Sequence, residues 1–235
     1  MMKKANLVVA AFLLIAGAAL AQHIDYAPFG HYTERVAEFE KQPRIMPTDI
    51  VMLGDSHTEF GGDWNKRLPG CGNIVNRGIA GDDAIGIGHR LKQICPYKPK
   101  AIVLECGIND LSHALTPQQV VANIAEVMDS IMRQCPKTRL YVMGVFPINM
   151  DVKRWKSLDG KTNQVAELNK LIRAECRARK VVYIDVFDKL RYPGSLKLRR
   201  EYCKDGMPLE KLRIVNRYRY TFFDTMTLHN YRISC

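Results

Sequence analysis

The chain lacks any Cys-x-x-Cys pair, although it carries seven cysteines, at positions 71, 95, 106, 135, 176, 203 and 235. The paired spacing of a structural zinc site is therefore missing, and no metal or other cofactor is expected. No internal repeat, low-complexity tract or second domain is visible. No apolar run approaches the roughly 20 residues that a membrane-spanning helix needs. The longest, Leu7 to Leu20, follows Lys3 and Lys4 and ends in Ala19-Leu20-Ala21. That layout is a cleaved export leader over residues 1–21, so the mature chain is expected to begin near Gln22. No cysteine follows the cleavage site, so no stable membrane anchor is expected. The expected location is the periplasm or the extracellular space.

In an oxidising compartment some cysteines are expected to pair, and the odd number leaves at least one free. Cys71 with Cys95 and Cys135 with Cys176 are guesses. Cys106 falls in an apolar run and reads as a buried thiol. The net charge is +11, and much of the excess lies late, from Lys189 to Arg219. Basic stretches attract anions, but no aromatic-interleaved nucleic-acid motif accompanies these charges. The stretch reads as a solvated surface, and no nucleic-acid partner is expected.

Beyond the leader, residues 22–49 form a lead-in with a short helix around Thr33–Lys41. Five apolar runs follow: Ile50–Leu53, Ile74–Asn76, Ala101–Glu105, Leu140–Val145 and Val181–Asp185. They are rich in Val and Ile and almost unbroken by polar residues, as strands buried on both faces should be. Helix patterns lie between them, at Asp83–Ile94, Pro117–Gln134 and Asn163–Arg179. The second has Thr116 to cap it, Pro117 in its first turn and Pro136 just past its end. Strand–helix alternation predicts an α/β fold, a parallel, doubly wound, three-layer sheet.

Ligands of such sheets bind beyond the carboxyl ends of the strands. Three polar segments sit there in order: Gly54-Asp55-Ser56, Asn76-Arg77-Gly78-Ile79-Ala80-Gly81-Asp82, and Gly107-Ile108-Asn109-Asp110. The first is too poor in glycine to cradle phosphate. It does present a serine hydroxyl, which becomes a nucleophile if a base and oxyanion donors reach it.

With these three blocks the chain resembles the SGNH hydrolases, also called GDSL-type esterases, from about Ile50 to Met207. The resemblance implies a flavodoxin-like α/β/α sandwich with a parallel five-stranded sheet over residues 50–207. It implies Ser56 as nucleophile, with the Gly78 amide and the Asn109 side chain as oxyanion donors beside the Ser56 amide. It also implies hydrolysis of carboxylic esters, on a small ester or an acylated carbohydrate.

The family's histidine and its carboxylate come from one late Asp-x-x-His block. Glu201-Tyr202-Cys203-Lys204-Asp205-Gly206-Met207 resembles the approach to that block, with Asp205 as the carboxylate. Pro208 stands where the histidine should be. From Met207 to Cys235 no glycine or alanine occurs, and the tail, residues 208–235, is rich in Arg and Tyr. Three readings are open. Asp224 and His229 supply a displaced pair; or the chain is an impaired relative that binds without turnover; or a shifted reading frame has replaced the tail. Of the other histidines, His57 is read as a local hydrogen-bonding residue, His113 as a possible pocket residue, and His89 as surface or packing.

Overall fold

The computed structural model describes residues 26–152, 155–202 and 207. The leader, Asp205, Pro208, Asp224 and His229 lie outside the described residues. In chain order the helices are α1 (Gly30–Lys41), α2 (Ser56–Glu59), α3 (Trp64–Arg67), α4 (Ala84–His89), α5 (Ile108–Ser112), α6 (Pro117–Gln134), α7 (Thr162–Ala178) and α8 (Phe187–Leu190). The strands are β1 (Ile50–Gly54), β2 (Ile74–Gly78), β3 (Ala101–Glu105), β4 (Arg139–Met143) and β5 (Val182–Ile184). They form one all-parallel sheet in the order β2-β1-β3-β4-β5. The expected α/β/α architecture is what the chain adopts, and each expected strand is present.

The period-two alternation of the strands divides the core between the two faces. Val51, Leu53, Ile102, Leu104, Leu140 and Val142 pack against α4, α6 and α7. Ile50, Met52, Val103, Tyr141, Met143 and Ile184 pack with Trp64, Leu68, Leu190 and Tyr202. β1 and β3 are buried along their whole length, which explains why they read as unbroken apolar runs. No described helix is long and apolar enough to cross a membrane.

α6 follows its sequence signals closely. Thr116 accepts from the Gln119 amide while the Gln119 side chain accepts from the Thr116 amide, a complete capping box. The helix expected over Asp83–Ile94 is shorter. It ends at His89 and continues as 3-10 turns, Leu91–Gln93 and Cys95–Tyr97. Gly86 and Gly88 weaken it, and at Arg90 the backbone leaves the helix while the side chain turns into the core.

The guessed cysteine pairs are not the neighbours the fold brings together. Cys71 packs with Trp64 on one face of the sheet, whereas Cys95 and Cys135 lie in the core of the other. Cys95, Cys135 and Cys176 are all free, as is Cys71, so neither guessed pair is formed. Cys106 is buried as expected.

Candidate active site

β1 ends at Gly54, where no side chain fits. A Cβ would stand 2.3 Å from Thr58 Oγ1 and 2.5 Å from the Glu105 carbonyl. The chain then turns directly into α2. Asp55 caps it, its Oδ1 accepting from the His57 amide at 2.9 Å. Ser56 is the first residue of α2 and is partly exposed. Among the described residues neither its hydroxyl nor its amide has a hydrogen-bond partner, so both are available to a ligand.

Asn76 braces this turn from β2. Its Nδ2 donates to the carbonyls of Thr58, Glu59 and Gly62 at 3.0, 3.1 and 3.0 Å. Its Oδ1 accepts from the Gly78 amide at 2.9 Å. That bond corrects the role expected of Gly78: its N–H is already used inside the fold. Glycine is needed there for close packing, since a Cβ would lie 2.1 Å from the Glu59 nitrogen.

Around the rest of the loop, Ile79 donates to the Gly54 carbonyl, Ala80 to Glu59 Oε2, Asp82 to the Ile79 carbonyl and Asp83 to Asp82 Oδ1. Gly81 is the exception. Its amide has no partner among the described residues, and its φ of +87° favours glycine. Asn109, at the start of α5, donates from Nδ2 to the Asp82 carbonyl at 2.8 Å. This spends one of its two amide hydrogens and leaves the second free. The geometry therefore favours the Ser56 amide, the Gly81 amide and Asn109 as donors. The two glycines look equivalent in sequence; positive φ and an unspent N–H separate them.

Arg90 is a bracing residue behind the site that the sequence did not reveal. It is 1% exposed. Its Nε donates to Asp82 Oδ2 at 2.8 Å, Nη1 to the Arg77 carbonyl at 2.7 Å and Nη2 to the Gly54 carbonyl at 2.9 Å. One buried cation thus ties the ends of β1 and β2 to the donor loop. Burial pushes the Asp82 carboxyl up to about 7, and Arg90 opposes the shift. Asp110, also raised to about 7 by burial, accepts from the Ala84 amide and braces the start of α4. An arginine among Ile87, Leu91 and Ile94 was the available signal.

His57 is the local hydrogen-bonding residue expected, with a second carboxylate that the sequence did not reveal. Its Nδ1 lies 3.1 Å from Asp55 Oδ1 and 3.5 Å from Glu105 Oε1. Its ring lies 4.6 Å from that of Phe146. Burial alone would lower the imidazole's affinity for a proton. Asp55 and then Glu105 outweigh burial and raise its pKa to about 10. Glu105 itself is pushed up to about 7 by burial and the Asp55 charge, and it accepts from Thr58 Oγ1 at 3.3 Å. The imidazole is therefore charged near neutrality and unable to take a proton from Ser56. Asp55, His57 and Glu105 are also the one grouping of three metal-ligand types among the described residues, their ligand atoms within 4.8 Å of one another. As it stands the grouping is an ion-paired network.

The remaining histidines lie elsewhere. His113 faces Asp83 at 3.6 Å and is exposed, and His89 stacks on Tyr26. A groove of about 560 Å³ runs along the outer edge of β2, lined by Arg35, Arg44, Glu59, Phe60 and Asn76 among others.

A parallel sheet, a serine at the carboxyl end of β1 and amide donors from the next two loops define a hydrolase of the SGNH class. The GDSL-like lipase/acylhydrolase family model matches residues 52–207, and the chain belongs to that family. A GDSL-like lipase from Bacteroides thetaiotaomicron has the same fold, with a TM-score of 0.70 at 18% identity, over 84% of this chain and 98% of that one. A lipase/acylhydrolase from Enterococcus faecalis gives 0.61 at 17% identity, over 77% and 96%. A mutant of an acetyl-xylooligosaccharide esterase from Geobacillus gives 0.59 at 14% identity, over 78% and 95%. No curated protein matches the chain.

Proposed function

We propose that the protein is an exported, metal-independent serine esterase acting on short acyl esters, O-acetyl groups on carbohydrate foremost. The observation that carries the reading is the unspent Ser56 hydroxyl beside unspent donors. Ser56 Oγ attacks the acyl carbonyl, and its proton passes to a base. The oxyanion is held by the amides of Ser56 and Gly81 and by the Asn109 side chain. The alcohol leaves with a proton, and water then releases the acyl group from Ser56.

In this reading the base belongs to the late segment, where Asp205 is the carboxylate and His229 stands in for the histidine that Pro208 replaces. One structural neighbour is a mutant of an acetyl-xylooligosaccharide esterase.

Pro208 favours a second reading, a protein that binds an acylated ligand without turnover. The two separate on a substrate panel of acetylated xylooligosaccharide and medium-chain lipid esters, assayed with the wild type and His229→Ala. Acetate release that the variant loses supports the displaced base. Release retained in the variant rules His229 out. Saturable binding without release leaves the second reading.

A further inference from the structure

A second cavity, of about 560 Å³, lies between the end of α1 and the 3-10 turns that follow α4. Neither Ser56, Gly81 nor Asn109 lines it. Three cations do, Arg44, Arg77 and Lys92, against one carboxylate, Glu40. Arg77 is only 3% exposed. The two arginines near it each meet an acid, Arg35 with Glu59 at 3.4 Å and Arg90 with Asp82 at 2.8 Å. Arg77 meets no acid among the described residues. Its Nη1 donates to Gln42 Oε1 at 2.6 Å and to the Asn76 carbonyl at 3.1 Å. Its Nε is buried with no partner, and its Nη2 donates to nothing among the described residues. Phe39 covers one face of the guanidinium, with its ring centre 4.7 Å away. Burial, then Arg90 and Arg35, lower the pKa of Arg77 to about 10 while Asp49 opposes them, so the group stays charged near neutrality. A buried charge without a counter-charge is costly, and the cost falls when an anion pairs with it.

We propose that this cavity binds a phosphate group, free or carried on a small molecule, with the unspent Nε–Nη2 edge of Arg77 gripping two of its oxygens. Nε and Nη2 carry parallel N–H bonds on one edge of the guanidinium, the arrangement that takes an oxyanion in two-pronged fashion. Arg44 and Lys92 have no ion-pair partner among the described residues and are exposed at the same cavity. Arg44 is set over the Tyr97 ring, 5.6 Å from its centre. Three cations against one carboxylate leave an excess of two positive charges, which suits a phosphate dianion better than a single carboxylate. The remaining phosphate oxygens meet Arg44 and Lys92. The cavity is larger than a phosphate ion, so an organic group fits beside it. The proposal does not depend on ester turnover.

Calorimetric titration of the full chain with inorganic phosphate and with glycerol 3-phosphate, at an ionic strength matched with chloride, tests it. The expected result is saturable binding with a Kd of about 1 mM or tighter. Arg44→Ala and Lys92→Ala change exposed side chains and should each weaken it about fivefold, as for a partly exposed ion pair. Arg77→Lys keeps the charge but loses the two-pronged edge, and should weaken it about tenfold. Tighter binding of the monoester assigns the cavity to a phosphorylated small molecule, and equal binding assigns it to free phosphate. Absence of saturation, or binding that Arg44→Ala, Lys92→Ala and Arg77→Lys all leave unchanged, overturns the proposal. So does binding that is lost in Asn109→Ala but kept in Arg44→Ala and Lys92→Ala, which puts the anion in the ester site. The two exposed variants keep the test decisive if Arg77→Lys does not fold.

Discussion

Replacing Arg90 with methionine keeps most of the side chain's length and removes its guanidinium. Three bonds are lost, at 2.8, 2.7 and 2.9 Å, to Asp82, Arg77 and Gly54. Breaking a buried ion pair on one side typically costs about 3–5 kcal/mol. Asp82 sits near the lower end, because its carboxyl is already raised to about 7 by burial and can take a proton. Each orphaned buried carbonyl adds about 1 kcal/mol or more. The expected loss is about 5 kcal/mol, a large part of a typical domain's stability. In urea, read by far-ultraviolet circular dichroism, the midpoint should fall by about 2 M if the slope is near 2.5 kcal/mol/M. Adding Asp82→Asn removes the stranded acid and should recover about 2 kcal/mol. A loss below about 1 kcal/mol in Arg90→Met, or no recovery in the double variant, would refute the claim that this cation holds the ends of β1 and β2.

Two further outcomes follow from the same network. Glu105, Asp82 and Asp110 are raised to about 7, each chiefly by burial, and His57 to about 10 by Asp55 and Glu105 against burial. All four bind protons more tightly folded than unfolded, so their stabilisation is full at low pH and lost as pH rises through those values. Urea stability should fall between about pH 5 and pH 10, and Glu105→Gln should flatten the part below about pH 7; stability that rises over pH 5 to 8 would contradict this. Asn109→Ala should lower the acetate-ester turnover number about 10²–10³-fold with little change in KM, as for loss of one oxyanion donor. A change confined to KM would place Asn109 in ground-state binding instead.

The strands were legible because parallel strands covered on both sides must be apolar throughout, and those of β1 and β3 are. α6 was legible because its cap is entirely local, Thr116 with Gln119. Less was legible where the deciding contact joins distant segments. Arg90 looked like a helix residue until the carbonyls of Gly54 and Arg77 came within its reach. Gly78 and Gly81 differ only through Asn76, which spends one amide, and through a positive φ. Asp55 could be placed beside His57 from sequence, but Glu105 joins them only because β3 pairs with β1. Which face of the sheet a cysteine occupies, and so which partner it meets, depends on packing in the same way.

The central claim is that Ser56 turns over esters. Hydrolysis of a chromogenic acetate ester by the purified mature protein, beside Ser56→Ala, tests it directly. The account predicts release above the uncatalysed rate, lost in the variant while its fold is retained. Equal rates from the two proteins would contradict it.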